Sequence, residues 1–178
     1  MRRRSIWLVF LSAAIVITAL YQAKKLQATP ANSGFTATTL AKGTLDQFDV
    51  FNHFVLPKTG EDDDKRIWLS WQKTKGSSDL YVQSNVWQPG GSTGWHSHPG
   101  HSLIIVTAGT VTEYEGDDPT CTPHLYTTGM SFVDPGGSHS HILRNESPSV
   151  IAQTIATQLI PAGQPRRIDV PAPGNCPF

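Results

Sequence analysis

The sequence is short of several features that would place it in a familiar functional class. Neither sign of charge is in excess, with 14 basic and 14 acidic residues in 178. It therefore lacks the basic field that draws a protein to nucleic acid or to an anionic membrane surface. The length leaves no room for a second full domain beside one compact core. No interval carries an amphipathic helical stripe with caps, which argues against a helical bundle or an α/β fold. Cysteine occurs only at positions 121 and 176, so at most one internal disulfide can form. Each lies beside proline in a loop-like setting, and in an oxidising compartment a Cys121–Cys176 bridge would tie the tail to the loop around 117–123. Two unpaired thiols are the alternative.

The sequence does have a charged start followed by one uncharged run. Arg2, Arg3 and Arg4 precede the apolar residues 6–20, and Lys24 and Lys25 return the chain to polar composition. This reads as an export signal, or, extended through Tyr21 to Ala23, as an uncleaved N-terminal anchor. The chain then divides into residues 1–28 as signal or anchor, 29–65 as a polar extension, 66–161 as the folded body and 162–178 as a proline-rich tail. The expected location is outside the cytoplasm, with membrane contact only through the first segment. The acidic run from Glu61 to Asp64 reads as a solvated loop, and the apolar stretch 48–56 as a segment lying against the body.

The 15 glycines and 13 prolines are scattered as single turn markers between short strand-like segments. Ile67, Leu69 and Trp71 alternate with Trp68, Ser70 and Gln72, and the same period of two runs from Leu80 to Trp87, as in half-buried strands. Further strand candidates cover 94–98, 102–108, 110–114, 125–127, 130–133, 138–144 and 150–159. Many short strands at near-regular spacing predict an all-β sandwich or barrel, which a double-sheet jelly roll accommodates.

Histidines are concentrated in this body: His96, His98 and His101 fall in one window, and His139 and His141 in another. Residues two apart on a strand share a face, so His96 with His98, and His139 with His141, can each aim two imidazoles at one point. Imidazole suits Zn, Fe, Ni and Cu, and Mn when oxygen ligands contribute, so a divalent transition metal is the implied cofactor without its identity. His101 is expected at the rim, and His53 and His124 stand alone as structural residues. Trp87, Trp95 and Phe132 read as core or cavity lining, Arg144 as half of a surface ion pair, and Glu113 and Glu115 as facing water.

Gly90, His96, His98 and Gly109 fit the pattern G-x5-H-x-H-x3-E-x6-G at every position except the glutamate, which is Ser102 here. Gly129, Pro135, Gly137, His141 and Asn145 fit G-x5-P-x-G-x2-H-x3-N with one extra residue before the histidine. In both segments the chain resembles the cupin superfamily. That resemblance implies a single jelly-roll barrel with one metal ion inside it, held by His96, His98 and His141. Without the glutamate, three outcomes stay open: three histidines completed by water, recruitment of His139 as a fourth ligand, or a barrel that has lost its metal. The implied function is metal-dependent oxygenase or hydrolase chemistry on a small molecule. The alternative is a non-catalytic module of the cell envelope that binds a small ligand or metal, and an isomerase-like cupin is a weaker third. A homodimer is expected by resemblance alone.

Overall fold

A computed structural model describes residues 33–56 and 67–178. The expected signal or anchor, residues 1–28, and the acidic run at 61–64 lie outside the described residues. All regular structure among the described residues is β, and none of it is a helix long and apolar enough to cross a membrane.

Ten strands form one nearly closed sheet. One wall consists of β1 (Ser33–Leu45), β4 (Ser78–Ser92), β11 (Ala152–Pro161), β6 (Ser102–Ala108) and β9 (Ser131–Asp134), each antiparallel to the next. The other wall consists of β8 (His124–Thr127), β7 (Thr110–Glu115), β10 (His141–Arg144), β5 (His96–Ser97) and β12 (Ile168–Asp169). Arg144 of β10 pairs with Ser92 of β4 and joins the two walls. This is the two-walled arrangement expected of a jelly roll, and it closes most of the sheet edges that would otherwise remain open.

The walls enclose Trp87, Ile104, Val106, Val111, Phe132, Leu143, Ala152 and Ala156. Strand β6 shows how the pleat selects them: Ser102, Ile104 and Val106 are buried, while Leu103 and Ile105 between them are exposed. Strand β4 adds polar residues to the interior, because Gln83 and Asn85 share the inward face with Trp87. These amides line a cavity with Trp87, so the barrel interior is only partly a hydrocarbon core. A second cluster of Trp95, Tyr114 and Ile142 is covered by the tail, whose Cys176 is bridged to Cys121.

The structure departs from the sequence reading in three places. Ser33–Leu45 has no clear apolar period, yet it is a strand paired along most of its length with β4. Backbone pairing with a long neighbour suffices there. Strands β2 (Asp49–Val55) and β3 (Ile67–Lys73) form a separate two-stranded ribbon, and it is almost wholly exposed. Their alternation is a property of the ribbon's two faces: the predicted half-burial of β3 does not occur, and of the stretch 48–56 only Phe48 is half-buried, beside Leu80, Leu103 and Leu159 of the barrel. The third departure concerns Glu113, described next.

Candidate metal centre

Three imidazoles converge at one end of the barrel. His96 and His141 are direct cross-strand partners on β5 and β10, and His98 follows His96 at the interval that keeps both on one face. The ring centroids are 4.6 Å apart for His96 and His141, 4.8 Å for His96 and His98, and 5.8 Å for His98 and His141. One ligand nitrogen from each lies within 4.8 Å of the others.

Each ring is oriented through its Nδ1. That of His96 lies 2.9 Å from the carbonyl oxygen of Gly94, and that of His98 lies 2.5 Å from the carbonyl oxygen of Arg166. That of His141 lies 2.7 Å from Oε1 of Glu113. All three partners only accept hydrogen bonds in these roles, so Nδ1 carries the proton and Nε2 presents its lone pair to the centre. Nε2 of His141 is buried without a hydrogen-bond partner. A buried polar atom left open in this way fits a ligand position for a cation.

The electrostatics agree with that chemistry. Burial, followed by the charges around His141 and Arg167, holds the His96 imidazole well below its ordinary value, and burial also lowers that of His98. Both are therefore neutral near pH 7, the form in which an imidazole can ligate a metal. Burial also opposes charge on His141, but the Glu113 hydrogen bond and the charges of Asp134, Glu113 and Glu115 together outweigh it and raise its pKa. The surroundings of His141 therefore favour positive charge, which a bound cation would also satisfy.

His139 lies outside the converging set. It groups with Glu115 and Asp117, and its Nε2 makes an ion pair with Glu115. Its ring centroid is 6.3 Å from that of His141. His101 is half-buried against Gln72 and does not line the cavity at the three histidines, while His53 and His124 are on exposed strands. Trp87 and Phe132 are core residues, Trp95 packs beneath the tail, and Arg144 forms its ion pair with Glu146.

The reading of Glu113 as water-facing is overturned: it is buried and hydrogen-bonded to His141. The reason is register. Val111, Glu113 and Glu115 share one face of β7, and Val111 belongs to the interior core. Parity with that valine was the available signal. The tail was also missed as a contributor, although it supplies the Arg166 carbonyl to His98 and pairs Ile168 and Asp169 with β5. Arg167 reinforces the return by donating from Nη2 to the carbonyl oxygen of Thr93 at 2.6 Å. A cavity of about 80 Å³ opens on the three histidines and is bordered by Trp87, Arg166 and Arg167. That volume suits a molecule of a few heavy atoms.

Residues 85–156 match a protein-family model described as a cupin domain, a span that contains all three histidines and Glu113. No curated protein matches the chain. Among solved structures, a polyketide cyclase from Streptomyces resistomycificus is 19% identical over 51% of this chain and 60% of its own, with a TM-score of 0.44. A cupin-like protein from Thermotoga maritima is 24% identical over 52% of this chain and 65% of its own, with a TM-score of 0.44. An oxalate oxidase is 20% identical over 51% of this chain and 46% of its own, with a TM-score of 0.43. The chain thus spans less than two thirds of the length of each.

Proposed function

From the premise that this chain belongs to the cupin superfamily, we propose that it binds one divalent transition metal through Nε2 of His96, His98 and His141 and acts there on a small molecule. The observation that carries this reading is the shared orientation of the rings, each with Nδ1 held by an acceptor and Nε2 turned to the common centre. Bound there, the ion supplies Lewis acidity toward a small substrate and a dioxygen or water co-reactant.

The protein's part is to hold neutral nitrogens in place, to balance charge through Glu113, and to confine a substrate beside Trp87 and the two arginines. The activity we propose for it is oxygenase or hydrolase chemistry. Its test is oxygen uptake and hydrolase turnover by metal-loaded protein beside the His96→Ala/His98→Ala variant. Turnover abolished in the variant supports the enzyme. Tight, stoichiometric metal with no turnover across such screens favours the alternative, a metal- or ligand-binding module.

The compartment is part of the same proposal. The basic start and apolar run suit export, and the Cys121–Cys176 bridge suits an oxidising space. Mass spectrometry of protein recovered from fractionated cells, showing the chain outside the cytoplasm with or without residues 1–28, tests it. We propose the β2–β3 ribbon as the contact of a homodimer, because its face of Phe51, Val55, Ile67, Leu69 and Trp71 is exposed. A two-stranded ribbon is marginal alone, and a second copy of the same face would cover it. Light scattering of the full chain should give twice the monomer mass, and a monomer at high concentration would contradict the assignment.

A further inference from the structure

The cupin pattern places a glutamate where this chain has Ser102, and a serine cannot supply the negative charge. Ser102 is buried, and its direct cross-strand partner is Asp134, the last residue of β9. Asp134 is also buried, with 1% of its surface exposed. One carboxylate oxygen, Oδ1, accepts the Gly136 N–H at 2.9 Å. The other, Oδ2, receives the Ser102 hydroxyl at 3.4 Å and lies 3.6 Å from Nε2 of His98.

The last distance is informative because of what faces what. Nδ1 of His98 donates to the Arg166 carbonyl oxygen, so in the neutral ring Nε2 offers a lone pair toward a carboxylate oxygen. Two acceptors facing one another in a buried site repel, and a cation between them removes the repulsion. Asp134 stands outside the set of three histidines whose ligand atoms all lie within 4.8 Å of one another, so its carboxylate borders the centre from the His98 side alone.

The chain is built to bring Asp134 to this place. Gly136 has a φ of 68° and packs its backbone against Gly100 so closely that no Cβ would fit. That contact joins the loop after Asp134 to the loop after His98. The carboxylate is thus carried by the neighbouring strand, beside Ser102 of β6.

We infer that Asp134 supplies the carboxylate of this metal centre, on the His98 side, in place of the glutamate that Ser102 lacks. The inference rests on the metal-binding reading above and adds a fourth residue to it. It accounts for a buried carboxylate at a barrel position where the rest of the motif is kept.

The test is Co(II) affinity of the full chain, by competition with a chromogenic chelator and by the visible Co(II) spectrum. Variants are Asp134→Asn, Ser102→Glu/Asp134→Asn and His96→Ala/His98→Ala, with circular dichroism as the check on folding. Asp134→Asn keeps an acceptor for Gly136 and removes only charge. It should bind Co(II) at least about tenfold more weakly with an altered spectrum, and Ser102→Glu/Asp134→Asn should recover most of the loss. Affinity in Asp134→Asn within twofold of the parent overturns the inference, as does a loss that the glutamate variant does not recover. If the parent chain binds no Co(II), or binds it equally without His96 and His98, the metal-binding reading itself fails and this inference fails with it.

Discussion

Trp87 and Trp71 lie on strands of similar alternating sequence and have opposite fates. Trp87, on β4, is 1% exposed and packs among core side chains inside the barrel. Trp71, on β3, is 69% exposed, opposite Phe51 on the ribbon, and its indole N–H donates to Asp49 at 2.7 Å. The same contrast holds, inverted, for polar groups. The barrel buries His96 and His141 and half-buries His98, with the carboxylates of Glu113 and Asp134 beside them, while the ribbon holds its aromatics in water. Each arrangement is costly for an isolated chain. The polar cluster inside is what the proposed metal ion rests on, and the exposed apolar face is what the proposed second copy rests on.

Substitutions can break this contrast, and the largest effect is expected inside. Trp87→Ala should destabilise the fold by about 3–5 kcal/mol through the lost burial and the cavity left behind, read as a lower midpoint in urea unfolding. A loss below about 1 kcal/mol would mean that the interior is already loosely packed. Next in size is Glu113→Gln, which keeps the shape beside His141 and removes the charge. It should weaken divalent-metal affinity by about 10–100-fold, measured by chelator competition, with little change in secondary structure. An unchanged affinity would reduce Glu113 to a structural residue.

A smaller effect is expected where β4 begins, far along the chain from the centre. Hydrogen bonds from the Gly163 N–H, Thr44 and Lys42 hold the Asp79 carboxylate down at about 2, against an ordinary 3.8. A lowered folded-state pKa stabilises above the unfolded value, and the contribution disappears as pH falls through the folded one. The stability advantage of the parent over Asp79→Asn should therefore be full above about pH 4 and fade toward pH 2, as followed by acid unfolding of both. A difference that stayed constant over that range would show that the carboxylate charge is not what stabilises this corner. The smallest effect is assigned to Trp71→Ala, which should shift monomer stability by no more than about 0.5 kcal/mol while weakening self-association in light scattering. A large loss of stability would show that the ribbon packs on the barrel after all.

The sequence made the histidine pairs legible because their spacing is a local property: a period of two puts His96 and His98 on one face wherever the strand goes. Turn glycines and prolines likewise marked most of the barrel strands, with β6 at its observed limits. The supporting carboxylates were hidden because their roles depend on register between distant segments. Glu113 meets His141 only through the β7–β10 pairing, and Asp134 meets Ser102 only through β6–β9. The Arg166 carbonyl has no side-chain signature at all. Strand β1 escaped because it is mostly exposed, so burial leaves no apolar rhythm along it. The ribbon misled for the opposite reason, since its rhythm is strong and the barrel does not cover it.

Zinc titration of the metal-free full chain, followed by long-range proton–nitrogen NMR of its histidine rings, tests the central claim most directly. The account predicts saturation at one equivalent per chain, with the Nε2 resonances of His96, His98 and His141 moving together to metal-bound positions while their Nδ1 protons stay in place. Unmoved rings at excess zinc, or zinc held through Nδ1 or by other histidines, would contradict it.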